Sequence, residues 1–225
     1  FRRVLFRSGW SDWWALMLTQ LPTDTKNGGY GIGTYELGQS SSGAGIRRYP
    51  YSYNMSTDPL TYNSFNGGFA SNESHKAGEI WCSALWDMNW LLIDKYGFSS
   101  NFTSGTGGNN LALQLVMDAL KLQPANPSFI DGRDAILAAD VARTGGQNQT
   151  EIWTAFARRG MGYSAHDGGS ADAVVVTAAY DLPPSASISG NVFRDDDASG
   201  TRNGSEPGLR SEEHTSELQS QFRIS

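Results

Sequence analysis

The run Ser74–Gly97, SHKAGEIWCSALWDMNWLLIDKYG, decides the fold. Ile80, Trp81, Leu85, Met88, Leu91 and Leu92 return at helical spacing and share one face. Ser74 can cap the first turn and Gly97 can take the left-handed conformation that ends a helix, so a helix is expected over Lys76–Tyr96. Working outward, Trp10–Leu21 (WSDWWALMLTQL) reads as a second helix, too densely apolar to lie on the surface. Three more follow downstream: Leu111–Leu122, then Phe129–Arg143 and Glu151–Arg159. The fourth of the five has Ser128 and Asp131 as a capping pair and Gly145 as its stop; Gly160 stops the fifth. The expected fold is therefore mainly α. The single Cys82 has no internal partner and reads as a small buried apolar residue.

Between these helices, Thr23–Gly45 is rich in Gly and Ser and reads as loop. Arg47–Gly68 (RRYPYSYNMSTDPLTYNSFNGG) carries two prolines and several aromatics. It reads as an irregular, ordered surface segment, longer than an ordinary connection and so functional. After the helices the character changes. Asp172–Tyr180 is β-branched and strand-like, Pro183-Pro184 marks a linker, and Ser187–Phe193 alternates as the opening of a new β segment.

The two ends break from the rest. FRRVLFRS at 1–8 and RSEEHTSELQSQFRIS at 210–225 resemble read-through translation of a sequencing adapter. The plainer alternative is a basic arm and a disordered polar tail. With those ends set aside, 12 basic and 20 acidic residues remain, a net charge of −8. That balance argues against a nucleic-acid partner, which needs a basic surface. No apolar run approaches the length of a membrane span. The division expected is 1–8 adapter-like, 9–182 a catalytic-type domain, 183–209 a linker with a β module, and 210–225 adapter-like.

Three short motifs carry chemistry-bearing residues, and each has a bland reading. Gly9-Trp10-Ser11-Asp12 can be a buried helix start with Asp12 as its first-turn acid. His75 can be a surface or capping residue. Arg47 and Arg48 can be two solvated cations. Taken in order, however, GWSD-W-x-A, GIRRYPYS…DPLTY, H-x-x-GEIW-x-x-x-LW…LIDKYG, GGNNLALQLVMDALKLQPANPSFIDGRDAIL and A-x-x-RRGMG resemble the fungalysin family, a branch of the thermolysin-like zinc metallopeptidases. The resemblance covers roughly residues 9–180.

It implies the C-terminal helical subdomain of a secreted endopeptidase acting on proteins or peptides. In that family two His of an HExxH helix and a downstream Glu hold zinc and leave one position open for water. The zinc acidifies that water and the Glu of HExxH takes its proton. The third ligand stands directly before GWSD, where this sequence has Ser8, and HExxH occurs nowhere in the chain. The resemblance gives Asp12 the carboxylate that orients a zinc-bound His. It gives His75 the donor to the oxyanion formed when water attacks the peptide carbonyl. Arg47, with Arg48 as the neighbour it is most easily confused with, takes the arginine that binds the substrate backbone. On these grounds the chain alone is expected to be inactive and to bind no stoichiometric zinc. The remaining histidines offer no substitute: His166 stands in a Gly-rich loop and His214 in the adapter-like tail.

Past the linker, Asp195, Asp197, Ser199, Asn203 and Glu206 in DDDASGTRNGSEPGL place oxygen side chains around a central Gly, as calcium loops do. ISGNVFRDDDASGTRNGSEPGL resembles the opening strand and loop of the calcium-binding B repeats of bacterial adhesins, which implies the start of a β-sandwich module. A polar loop without metal is the alternative. Two other readings of the whole chain stay open. One is a non-catalytic helical binding or structural module. The other is a glycan-active protein, suggested by the many Trp and Tyr and by carboxylates such as Asp12, Glu73 and Glu79; it requires the Trp residues to form an exposed platform.

Overall fold

The computed structural model describes residues 2–66, 74–168 and 175–184, with short stretches at 193–196, 198–201, 203–204 and 207–208. It is mainly helical: α1 Arg2–Thr19, α2 Ser74–Tyr96, α3 Gly108–Leu122, α4 Phe129–Thr144 and α5 Gln149–Arg158. The chain divides into two compact units, Phe1–Pro183 and Pro184–Ser225, and all five helices lie in the first.

Most helix ends follow local chemistry. Ser128 accepts the Asp131 N–H at 3.1 Å while the Asp131 carboxylate accepts the Ser128 N–H at 2.8 Å, closing a reciprocal box at the start of α4. Gly145 leaves α4 in the left-handed conformation at φ 73°, and Gly97 ends α2 at φ 74° with its N–H on the Ile93 carbonyl. Several ends differ from expectation: α3 begins at Gly108, α4 runs one residue on to Thr144 and α5 spans Gln149–Arg158. Ser74 is the first residue of α2 rather than its cap. α1 stops at Thr19, because Pro22 disfavours helical backbone just before it and the Asp24 carboxylate takes the Leu21 N–H into a turn instead. α1 also starts at Arg2, so the adapter-like residues continue the helix backwards.

α2 is the central element. It packs on α1, α3 and α5, and α4 closes against α3 and α5. Every residue from Ala77 to Trp90 is buried. The single apolar face read from the sequence is therefore only part of the contact, since Glu79, Ser83, Asp87 and Asn89 are enclosed as well. Trp81 joins four helices: its ring meets Trp10 of α1, Phe129 of α4 and Phe156 of α5 at 5.2, 5.4 and 5.5 Å between centroids. Aromatic pairs of this kind contribute about 0.5–1.5 kcal/mol each beyond area burial.

α1 and α2 run parallel. Gly9 lies against Gly78 at one end, and at the other the Asn89 amide donates to Gln20 at 3.1 Å, a constant offset of 69 residues. The approach at the glycine end is backbone to backbone. A Cβ on Gly78 would stand 2.6 Å from the Gly9 nitrogen and 2.6 Å from the Ser8 hydroxyl oxygen.

The segment after Arg47 is irregular, as expected, but it is not a surface segment. Tyr51, Ser52, Asp58, Leu60, Tyr62 and Phe65 are buried. The cause is Arg159, fully buried at the end of α5, whose fork satisfies five acceptors. It donates to both Asp87 carboxylate oxygens at 2.7 and 2.9 Å and to the carbonyls of Ser52, Asp58 and Leu60 at 2.6, 2.7 and 3.0 Å. A buried cation requires such complete pairing. The loop thus supplies the acceptors and α2 supplies the counter-charge.

Of the expected strand Asp172–Tyr180, residues 175–180 are described. They form isolated bridges, Met161 with Ala179 and His166 with Thr177, against the stretch that follows α5. In the second unit Phe193 bridges Gly208. The rest of the expected strand Ser187–Phe193, together with Glu73, Asp197, Glu206 and the tail 210–225, lies outside the described residues.

Candidate active site

Asp12 sits one turn past the Gly9–Gly78 crossing, on the buried side of α1. Arg47 grips it in a two-pronged pair: Nε donates to Oδ2 at 2.6 Å and Nη2 to Oδ1 at 2.8 Å. The Tyr51 hydroxyl donates to the same Oδ2 at 2.6 Å. Both charged side chains are nearly enclosed, with Arg47 10% and Asp12 4% exposed. Charge-assisted bonds of this geometry are about twice as strong as neutral ones.

The electrostatics agree with the geometry. Burial works against the charge of Arg47, but its bonds to Asp12 outweigh that and hold the guanidinium above its ordinary pKa. Burial first, then its negative neighbours, push the Tyr51 phenol well above its usual value, so it stays protonated and donates. Arg47 Nη2 also reaches the Ser8 hydroxyl at 3.4 Å. Its Nη1 makes no hydrogen bond among the described residues. Arg48, by contrast, is exposed and stacks over Tyr49.

His75 is exposed in the first turn of α2, three residues before Gly78. With the parallel register it lies six residues ahead of Asp12, about 9 Å along the helix axis. Ser8, Asp12, Arg47 and His75 therefore gather at one end of the α1–α2 seam, although 67 positions separate the first from the last. His166 is not among them; it pairs through its backbone with Thr177.

Two members escaped the sequence reading. Tyr51 appeared only as part of a quoted motif, and no spacing rule ties it to Asp12, 39 residues away. Glu79 figured only within a quoted motif and as a scattered carboxylate. It is buried, and its Oε2 accepts the Arg48 backbone N–H at 3.1 Å.

The donor set does not suit zinc. Ser8 offers only a neutral hydroxyl, and Asp12 is committed to Arg47 and Tyr51. No group of three or more His, Cys, Asp or Glu among the described residues is placed to hold a metal. In the second unit, the Asp195 carboxylate accepts the N–H groups of Ser199 and Gly200 at 3.0 and 2.9 Å, and the Ser199 hydroxyl bonds the Thr201 carbonyl.

The tryptophans do not form an exposed platform. Trp10, Trp13, Trp81, Trp86 and Trp90 are buried, and Trp14 and Trp153 pack against the core.

The family model described as fungalysin metallopeptidase (M36) matches residues 6–165, beginning inside the eight adapter-like residues. The chain is 47% identical over 163 residues to the extracellular metalloproteinase mep of Aspergillus fumigatus, covering 70% of this chain and 25% of that protein. It is 42% identical over 182 residues to extracellular metalloproteinase 3 of Trichophyton rubrum, covering 78% and 27%. The chain thus spans about a quarter of the length of these relatives. No helix among the described residues is long and apolar enough to cross a membrane.

Proposed function

Because this chain belongs to the fungalysin family of metallopeptidases, we propose that it is part of a secreted zinc endopeptidase and carries the non-metal half of its peptide-hydrolysing site. The observation that carries this reading is the Arg47–Asp12 pair closed by Tyr51, built where the family motifs GWSD and RRYPYS meet. Buried bidentate pairing is the means by which a scaffold holds a guanidinium rigidly enough to receive a substrate carbonyl. The relatives are named as extracellular metalloproteinases, which supports protein or peptide substrates and an extracellular setting.

In this reading Asp12 orients a metal-binding His supplied by upstream sequence, Arg47 binds the substrate backbone, and His75 donates to the oxygen that becomes charged. The bound zinc would supply the acidified water. Since the chain has no HExxH and has Ser at position 8, we propose that it cleaves nothing by itself.

The test is to express the chain with its upstream coding sequence and with Glu at position 8. Chelator-sensitive cleavage of casein supports the reading; an extended chain without HExxH, or without cleavage, removes it. In that enzyme His75→Ala should lower kcat about 100-fold or more with zinc retained, as loss of an oxyanion donor does. Unchanged kcat would take His75 out of the site. For the loop 195–206 the calcium reading rests on sequence pattern alone, and calorimetric titration of the chain with calcium tests it.

A further inference from the structure

Glu79 is one helical turn beyond His75 and only 4% exposed. A carboxylate so enclosed is costly unless it is bonded. Its Oε2 accepts the Arg48 backbone N–H at 3.1 Å. That amide belongs to the peptide plane whose other half is the Arg47 carbonyl, so holding it fixes the backbone rotation at Arg47 and with it the direction of the Arg47 side chain. Within five residues the segment is tied to both helices: Arg47 and Tyr51 to Asp12 of α1, and the Arg48 amide to Glu79 of α2. The charge of Glu79 also supports the Arg47 cation.

We propose that Glu79 is a positioning residue: its buried carboxylate locks the Arg47–Arg48 peptide to α2, so that the Arg47 guanidinium keeps a fixed place relative to His75 on the same helix. This rests on the peptidase reading only for what Arg47 and His75 do. The positioning itself is a property of the chain in hand.

A carboxylate in the second turn of a helix also interacts favourably with the helix dipole, and that role alone would make Glu79 merely stabilising. The two roles separate by experiment. Glu79→Gln keeps an acceptor oxygen of the same reach without the charge; Glu79→Met fills the space without any strong acceptor. In the 225-residue chain, amide exchange at Arg48 should be slow in the wild type and in Glu79→Gln, and about tenfold or more faster in Glu79→Met. The Arg47 Nε–H resonance should shift in Glu79→Met and stay near its wild-type position in Glu79→Gln.

Fast Arg48 exchange in the unaltered chain would overturn the proposal before any variant is made. Equal Arg48 exchange and an unmoved Arg47 signal in Glu79→Met would overturn it as well, leaving only a helix-dipole contribution. In the upstream-extended enzyme, Glu79→Met should lower kcat/KM about 10–100-fold with full zinc content, the range typical for groups that hold a functional residue in place. Glu79→Gln should recover most of that loss. An inactive extended wild type would fail the peptidase reading while the exchange data still decide the positioning. An active one whose Glu79→Met variant matches it would fail the positioning alone.

Discussion

Gly78 is the point at which the two site-bearing helices touch, and its missing side chain sets their spacing. The obstruction to a Cβ is the Gly9 backbone nitrogen at 2.6 Å, which cannot rotate away. Gly78→Ala should therefore push α1 from α2. Overpacking costs about 1–3 kcal/mol, and the better helix propensity of Ala returns about 1 kcal/mol. Because the clash is with backbone, the net effect should be a loss of about 2 kcal/mol in urea unfolding, together with a weakened Arg47–Asp12 contact. A variant as stable as the wild type would show that the helices are not in backbone contact. The motif G-E-I-W exposes this Gly to a reader of the sequence, but nothing in the local spacing says that a second Gly, 69 positions away, meets it.

At the scale of elements, the connection from α4 to α5 is held by one carboxylate. Asp140 accepts the Asn148 N–H at 3.0 Å, the Asn148 amide at 2.7 Å, the Gln149 amide at 2.9 Å and the Thr144 hydroxyl at 2.6 Å. Burial pushes its pKa up, but these bonds together outweigh burial and leave it below the ordinary 3.8. A depressed carboxylate contributes stability that is complete above its unfolded pKa and drains away as pH falls through the folded one. Wild type should therefore exceed Asp140→Asn in stability by a constant margin from about pH 7 to 5, with the margin shrinking below about pH 4. Urea midpoints at several pH values measure this. A margin that stays flat down to pH 3 would contradict it. The helices on either side were legible because each carries its own punctuation: Ser128, Asp131 and Gly145 for α4, Gly160 for α5. Asp140 itself was not, since a carboxylate inside a helical pattern looks the same whether it faces water or four donors.

Across the whole molecule, what was legible in the sequence was local or motif-borne. The helical core follows from periodicity and caps, and Asp12, Arg47 and His75 stood out through the motifs that contain them. What stayed hidden was long-range pairing. Arg159 reaches acceptors 72 to 107 residues away, and for that reason Arg47–Gly68 read as surface when much of it is core. The polar residues of α2 were equally opaque: nothing local distinguishes a solvated Glu79 or Asp87 from one whose partners arrive from distant segments. Among the described residues, 175–180 form isolated bridges with the stretch after α5, and the Asn66 side chain takes both backbone groups of Val176, a pairing from 110 residues away that no local pattern shows.

In the function proposed above, this chain carries supporting groups of a zinc peptidase site, and the ligands that bind the metal come from upstream sequence. Zinc content after dialysis, measured side by side for the 225-residue chain and for the chain extended upstream with Glu at position 8, tests that claim most directly. A catalytic zinc needs three protein ligands, and the described residues offer no such cluster. The first should retain no zinc and the second about one per chain. Stoichiometric zinc in the 225-residue chain, or none in the extended one, would contradict it.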